Sequence, residues 1–321
     1  MRVFICEFVT AGGLNGQALP ETLVPEGTRM RDALIADVEA LPGFGSLLLA
    51  HDARLPAPRE GSIAVGPDDD PWAVWTELAA QAHVVWPVAP ETGGLLTRLA
   101  ALARQQCEHV VACAPEAIEI CSSKLRTAAH LSAAGLPHVP TFRAAEPPPQ
   151  LDGEVVTKPD DGAGCESTRR WPSAAAAARD AGLIVQPFVE GAPASLSVLV
   201  RQGQATLLTV NQQHLTVQEG VLSLSGLTVG ALPRNERLER LAQAVVDTIP
   251  GLTGIIGIDV IFTPAAPVVV EVNPRITTSY AGLHPALAVN PAAFLPEFIR
   301  DGRLPAMPHL PPATAVAVGL R

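Results

Sequence analysis

Gly254-Ile255-Ile256-Gly257-Ile258-Asp259-Val260-Ile261-Phe262 and Val268-Val269-Val270-Glu271-Val272-Asn273-Pro274-Arg275 are the stretches on which the fold of this 321-residue chain turns. Both are rich in β-branched residues, and Gly254 to Phe262 and Val268 to Val272 read as strands. Between them, Thr263-Pro264-Ala265-Ala266-Pro267 reads as a turn centred on Ala265. A hairpin symmetric about that centre sets Asp259 opposite Glu271. Facing residues of antiparallel strands share one side of the sheet, with Cβ atoms about 5 Å apart. Asn273, two residues beyond Glu271, points the same way. Two carboxylates and an amide oxygen then meet. Facing like charges are destabilising by themselves, and a hard divalent cation reverses the sign because it takes oxygen ligands. The plain alternative is a solvent-facing strand pair whose two acids tolerate each other.

Upstream of the hairpin the lysines stand out. The chain has two, Lys124 and Lys158, against twenty arginines, so generic surface charge is carried by Arg. Lys124 follows Ser122-Ser123 at the start of an expected helix; either serine can cap it, Gly135 can end it, and Pro137 prevents its return. Lys158-Pro159 ends an expected strand and opens a glycine loop, residues 160–167, with Gly162, Gly164 and Ser167. Such a loop can wrap phosphates with backbone N–H groups. It matches neither a Walker loop nor a G-x-G-x-x-G fingerprint. Taken singly, a surface lysine and a plain turn are the simpler readings. In order, however, the chain offers a lysine at a capped helix, a lysine before a glycine loop, the strand Gln186-Pro187-Phe188-Val189 and an acidic hairpin. Phosphoryl transfer needs cations on the phosphates, a metal bridging their oxygens, and a cover that excludes water.

The remaining pattern frames this core. Expected strands at 2–8, 46–50, 83–88 and 109–113 alternate with expected helices at 28–40 and 92–106, which describes an open α/β lobe. The acidic stretch 66–71 reads as a surface turn. Further on, strands are expected at 155–159, 183–189, 195–200, 205–210 and 221–224. An Ala-rich helix is expected at 173–181 and an amphipathic one at 236–249. The expected organisation is an N-terminal α/β domain at 1–112, a lobe at 113–190, and a lobe at 191–321 carrying the acidic hairpin. A net charge of −10 argues against non-specific nucleic-acid binding, so a polyanionic ligand must be met by local cations. No apolar run reaches the roughly 20 residues of a membrane span, and the first residues read as a strand, so a cytoplasmic protein with no membrane partner is expected. Cys6, Cys107, Cys113, Cys121 and Cys165 show no C-x-x-C pair and are expected to be reduced thiols.

The order of these elements resembles the ATP-grasp superfamily over about residues 1–290. Ser123-Lys124-Leu125 with the exit Gly135-Leu136-Pro137, the loop opened by Lys158-Pro159, the strand Gln186-Pro187-Phe188-Val189, and Gly257-Ile258-Asp259-Val260 with Glu271-Val272-Asn273-Pro274-Arg275 carry the likeness. The resemblance implies an ATP-grasp fold, an α/β lobe followed by two α+β lobes that clamp ATP. It implies an ADP-forming ligase that makes a carbon–nitrogen bond through an acyl phosphate. Lys124 and Lys158 would be the phosphate lysines. Gly162, Gly164, Ser167, Gln186, Phe188, Val189 and Glu190 would hold the nucleotide. Asp259, Glu271 and Asn273 would bind two Mg2+ ions, for which Mn2+ can substitute. Arg275 would contact phosphate or the substrate carboxylate.

Within the superfamily, Glu7-Phe8-Val9-Thr10-Ala11-Gly12-Gly13, Ala89-Pro90-Glu91-Thr92, Ser195-Leu196-Ser197-Val198 and Asn211-Gln212-Gln213 are similar to tyramine–glutamate ligases of methanofuran biosynthesis. Glu7, Gly12, Gly13, Arg275, Ser279 and Tyr280 are the candidates for binding the small carboxylate and amine. A homodimer is left open. The chain departs from the family in having Ala192-Pro193-Ala194 where many members carry a ribose-binding acid, Ser123 where an Asp often precedes the first lysine, and Cys165-Glu166 in the loop. Other readings are a D-alanine–D-alanine-type ligase, a nucleotide-binding regulator without catalysis, and a dinucleotide-dependent oxidoreductase, the last unsupported by any glycine fingerprint.

Overall fold

The computed structural model describes residues 1–148, 150–162, 164–165, 167–299, 303–307 and 309–319. Ala163, Glu166 and Pro149 of the expected loops lie outside the described residues. The chain opens with β1 (Arg2–Glu7), α1 (Leu23–Glu39), β2 (Ser46–Asp52), β3 (Ile63–Val65), α2 (Pro71–Gln81), β4 (Val84–Val88) and α3 (Leu95–Gln106). The four strands form a parallel sheet in the order β3-β2-β1-β4. Parallel neighbours need crossovers, and the helices supply most of them. Leu34, Ile35 and Val38 of α1 are fully buried with Val3 and Ile5 of β1.

Next come α4 (Pro115–Cys121), α5 (Lys124–Ala133), β5 (Phe142–Arg143), β6 (Val155–Pro159), β7 (Arg169–Trp171) and β8 (Leu183–Pro187). They are followed by β9 (Ala192–Arg201), β10 (Gln204–Gln218), β11 (Val221–Leu232), α6 (Glu236–Thr248), β12 (Gly254–Phe262), β13 (Pro267–Asn273), α7 (Tyr280–Leu287) and β14 (Val316–Gly319). These strands form one continuous sheet, β13-β12-β9-β10-β11-β7-β6-β8-β5, with β14 paired to β11. The link between its halves is narrow: Val221 pairs with Arg169, Leu222 N–H donates to Thr168 O and Arg170 N–H to Gly220 O. The tip of the β10–β11 hairpin thereby carries the β5–β8 half.

β9 explains the two sides of this sheet. Ala194, Leu196, Val198 and Val200 pack in the same core as Leu238, Leu241, Ala242 and Val245 of α6. The alternate residues Ser195 and Ser197 point to the other side.

Four sequence expectations need correction. Residues 109–113 make only a bridge, Val85 to Val110, because the chain must turn into α4 at Pro115. Residues 173–181 are turns, not a helix; Pro172 and Gly182 leave only about two and a half turns between them, too few to offset helix nucleation. The helix expected at 92–106 starts at Leu95, since Gly93 and Gly94 both adopt left-handed φ values of 61° and 71°. The helix expected at 28–40 begins earlier, at Leu23, with Pro25 accommodated in its first turn. The short β3 and α2 were not anticipated, although Asp70-Pro71 is a clear helix start: Asp70 accepts from Trp72 N–H and Pro71 sits in the first turn. Among the described residues no helix is long and apolar enough to cross a membrane. All five cysteines are free thiols.

Candidate active site

Asp259 does pair with Glu271, but by a different route from the symmetric turn. Phe262 pairs with Pro267, Ile261 with Val268 and Val260 with Val269, so the loop has four residues, not five. Continued without interruption, that register would put Val270 opposite Asp259 and turn Glu271 to the other side. The register shifts between Asp259 and Val260, leaving Val270 as the extra residue of a bulge. Both Val270 and Glu271 then line the cleft described below. Asn273 follows on the same side, its Nδ2 3.5 Å from Asp259 Oδ2. Gln213 Nε2 donates to Asp259 Oδ1 at 3.1 Å.

Both lysines converge on Glu271. Lys158 Nζ lies 3.4 Å and Lys124 Nζ 3.5 Å from Glu271 Oε2. Lys124 is held at the start of α5, where Ser123 is the cap and accepts from Arg126 N–H. A residue missed in the sequence completes the arrangement. The carboxylate of Asp160 accepts from Ser123 Oγ–H at 2.7 Å and Leu125 N–H at 2.8 Å, and its carbonyl accepts from Lys124 N–H. Asp160 thus clips the glycine loop to the start of α5. Lys124 Nζ also donates to Gly162 O at 2.6 Å. Asp160→Ala is expected to lower stability by about 1 kcal/mol, the scale of a lost helix cap. It should also weaken nucleotide binding, read by thermal melting and by titration with ADP.

Two cavities meet at the hairpin. A cleft lies between the β5–β8 half of the sheet and the β12–β13 hairpin, walled by Gln186, Phe188 and Val189 on one side and Leu215, Leu222 and Ile261 on the other. Lys124, Lys158 and Gly162 lie at its polar end. An inner cavity lies between the N-terminal domain and β9–β13, lined by Glu7, Glu26, Ser195, Arg275, Thr277 and Ser279 among others. Gln213, Asp259 and Glu271 line both. Gly164 lines the inner cavity, whereas Gly162 lines the outer cleft, so the glycine loop borders each.

Several expected site residues are elsewhere. Gly12 and Gly13 line neither cavity: a Cβ on Gly12, which has φ 93°, would sit 2.7 Å from Val65 Cβ, and one on Gly13 would meet Phe8. They are glycines because the turn after β1 packs tightly. Tyr280 is buried behind the inner cavity, donating its hydroxyl to Asp37 at 2.8 Å and packing edge-on against Trp86. Glu190 and Ser167 are exposed and absent from the lining of both cavities. Two carboxylates were missed. Glu26, on the unanticipated first turns of α1, accepts from Thr278 Oγ1–H at 3.0 Å. Glu91 accepts from Arg275 at 2.7 Å and fixes that guanidinium; its Ala89-Pro90-Glu91-Thr92 surroundings were the only sequence signal.

Charge separates the carboxylates. Burial, then the facing Glu271, pushes the Asp259 carboxyl well up. Burial would also raise Glu271, but Lys124 and Lys158 outweigh it and hold that carboxyl low. Burial raises Glu7 despite donation from the Thr10 N–H and hydroxyl, and raises Glu26 likewise. Among the described residues no three His, Cys, Asp or Glu side chains cluster as a metal cage. Two facing carboxylates and an amide form a sparse, hard oxygen set. That suits Mg2+ shared with phosphate oxygens, and a dication relieves the repulsion that Asp259 feels.

Comparison with known proteins agrees with this geometry. The ATP-grasp domain model matches residues 121–279, and the pre ATP-grasp 3 domain model matches residues 46–118. Tyramine–L-glutamate ligase of Methanocaldococcus jannaschii is 28% identical over 208 residues, 63% of this chain and 59% of that protein. The enzyme of the same name from Methanocaldococcus fervens is 28% identical over 207 residues, 63% of this chain and 62% of that protein. The matched region thus spans less than two thirds of either relative. Among solved structures, an ATP-grasp superfamily protein from Archaeoglobus fulgidus superposes with a TM-score of 0.72 at 20% identity, covering 100% of both chains. An L-amino acid ligase from Bacillus licheniformis gives a TM-score of 0.62 at 15% identity, covering 92% of this chain and 73% of that one. The two domain models follow each other along the chain, the second takes in the whole lining of the outer cleft, and the fold is that of the superposed proteins: this chain belongs to the ATP-grasp superfamily.

Proposed function

We propose that this chain is an ATP-dependent carboxylate–amine ligase that joins glutamate to tyramine or a similar aromatic amine, an amide of the kind used in methanofuran-type coenzymes. The observation that carries the reading is the shared wall. ATP in the outer cleft and a carboxylate in the inner cavity would meet at Asp259 and Glu271, where the γ-phosphoryl group changes hands. A carboxylate oxygen attacks the γ-phosphorus and ADP leaves, giving an acyl phosphate. The amine then attacks the acyl carbon, loses a proton, and inorganic phosphate departs. Asp259, Glu271 and Asn273 would hold Mg2+, which supplies charge neutralisation at the phosphate oxygens. Lys124 and Lys158 neutralise the remainder. No side-chain nucleophile is required.

The substrate reading rests on the names of the curated relatives and on the chemistry of the inner cavity. Val9, Leu23, Met30, Leu224 and Leu227 offer an apolar wall for an aromatic ring. Glu7 and Glu26 offer carboxylates for ammonium groups, and Arg275 offers a guanidinium for a carboxylate. ADP release in the presence of Mg2+ is expected to need glutamate and tyramine together, with the γ-glutamyl amide detected by mass spectrometry. Stimulation by D-alanine alone, with no response to glutamate and tyramine, would replace this reading with a dipeptide ligase.

A further inference from the structure

A transverse row of polar residues crosses the sheet beneath the inner cavity. Glu271 pairs with Asp259, Asp259 with Ser195, and Ser195 with Asn211. Asn211 is wholly buried. Its amide is oriented without ambiguity: Gly230 N–H donates to Asn211 Oδ1 at 3.1 Å, so Nδ2 is the donor to Ser195 Oγ at 3.2 Å and to Ser197 Oγ at 3.0 Å. Ser197 Oγ lies 2.9 Å from Ser279 Oγ, which lies 2.9 Å from Thr277 Oγ1.

Counting hydrogens fixes the direction of the link from Ser197 to Ser279. Ser197, Ser279 and Thr277 have three hydroxyl hydrogens between them and two mutual hydrogen bonds, so one hydrogen is left over. If the chain ran toward Ser197, the spare hydrogen would be on a 2% exposed hydroxyl with no acceptor among the described residues. Thr209, opposite Ser197 in the register, makes no hydrogen bond to it. A buried unsatisfied donor is costly. Ser197 therefore donates to Ser279, and the spare hydrogen falls to Ser279 or Thr277, both on the cavity wall; Thr277, half-buried where Ser279 is 4% exposed, is the hydroxyl that a ligand reaches. Ser195, on the same wall, already accepts from Asn211 and has no acceptor of its own among the described residues. Arg275, beside them, has an Nε with no hydrogen-bond partner. Two unfilled hydroxyl donors beside a guanidinium on one wall call for an anion.

We propose that Asn211 is a positioning residue that aims the hydroxyl hydrogens of Ser195 and Thr277 into the inner cavity, where together with Arg275 they bind the carboxylate of the amino-acid substrate. This rests on the ligase reading for its substrate and assigns a role to Ser195, Ser197 and Asn211 that the phosphoryl chemistry leaves unused. Asp in place of Asn keeps the shape but has two acceptor oxygens, so Ser195 and Ser197 would turn their hydrogens inward and the relay would reverse.

The experiment is a calorimetric titration of L-glutamate into the full chain with Mg2+ and a non-hydrolysable ATP analogue. Thr277→Val and Ser195→Ala are each expected to weaken glutamate binding roughly tenfold, the scale of a lost hydrogen bond to a charged group. Thr277→Ser should restore it, Asn211→Asp should weaken it, and affinity for the ATP analogue should not change. Unchanged glutamate affinity in both Thr277→Val and Ser195→Ala overturns the proposal, as does an equal loss of nucleotide affinity. If Asn211→Asp does not fold, the two hydroxyl variants decide. A wild-type protein that binds no glutamate overturns this proposal and the ligase reading together. One that shows the expected pattern but never condenses glutamate with tyramine overturns the ligase reading alone.

Discussion

Glu271→Gln is expected to reduce Mg2+-dependent ADP release on the order of 10³-fold, at the upper end for loss of one preorganised electrostatic group. Glu271 is the point at which both lysines and the facing Asp259 converge. Its amide would be a weaker metal ligand and would remove the carboxylate nearest two buried ammonium groups. The apo protein should therefore melt at a lower temperature, because removing one partner of a buried ion pair exposes the cost of the other. Asp259→Asn should lose activity on a similar scale yet shift the melting temperature the other way. Asp259 is the carboxylate that burial and Glu271 disfavour, so its neutral isostere removes a repulsion. Steady-state ADP release with melting curves of both variants checks this. Wild-type turnover in a folded Glu271→Gln protein, or equal destabilisation by both substitutions, would contradict the assignment of the acidic hairpin.

Lys124→Arg and Lys158→Arg should each lose roughly 10²-fold or more in turnover although net charge is conserved. The chain uses arginine at twenty positions, so the two lysines are not a compositional habit. The two lysines are 7% and 9% exposed as whole residues, and Lys124 Nζ fits between Gly162 O and Glu271 Oε2. A guanidinium is broader and planar, and cannot replace a point charge at those distances without displacing the glycine loop. Strain from the added bulk should cost about 1–3 kcal/mol of stability as well. Measurements at saturating Mg2+ with far-ultraviolet circular dichroism separate lost chemistry from lost structure. Near-normal turnover in both variants would reduce the lysines to surface charges.

The acidic hairpin shows how far a sequence can be read and where the reading depends on luck. A symmetric five-residue turn predicts the pairing of Asp259 with Glu271. The chain makes a four-residue turn and recovers the pairing through a bulge at Val270. Two departures of one residue cancelled. Nothing in Val268-Val269-Val270 signals a bulge, because its stability comes from packing on both sides of the finished strand. The glycines after β1 illustrate the opposite error. By sequence Gly12 and Gly13 read as ligand contacts beside Glu7, whereas one supports β3 and the other Phe8. A glycine that permits close packing reads the same in sequence as one that admits a ligand.

Local chemistry was decided by the sequence itself: the Ser123 cap, the strand leading into the Lys158 loop, the alternation of Ala194-Ser195-Leu196-Ser197 across β9, and the oxygen-rich character of the hairpin. These follow from side-chain period, capping and turn preference, which act over a few residues. Convergence was decided only by the tertiary structure. Lys124 and Lys158 reach one carboxylate oxygen because the tip of the β10–β11 hairpin ties the two halves of the sheet and Asp160 clips the loop to α5. Glu26, Glu91 and the hydroxyl chain below Asn211 become part of the site only when the N-terminal domain docks and the hydrogen bonds of a buried network must all be satisfied. Those are conditions on the whole fold, set by burial and donor–acceptor balance between segments far apart in the chain, and no local pattern records them.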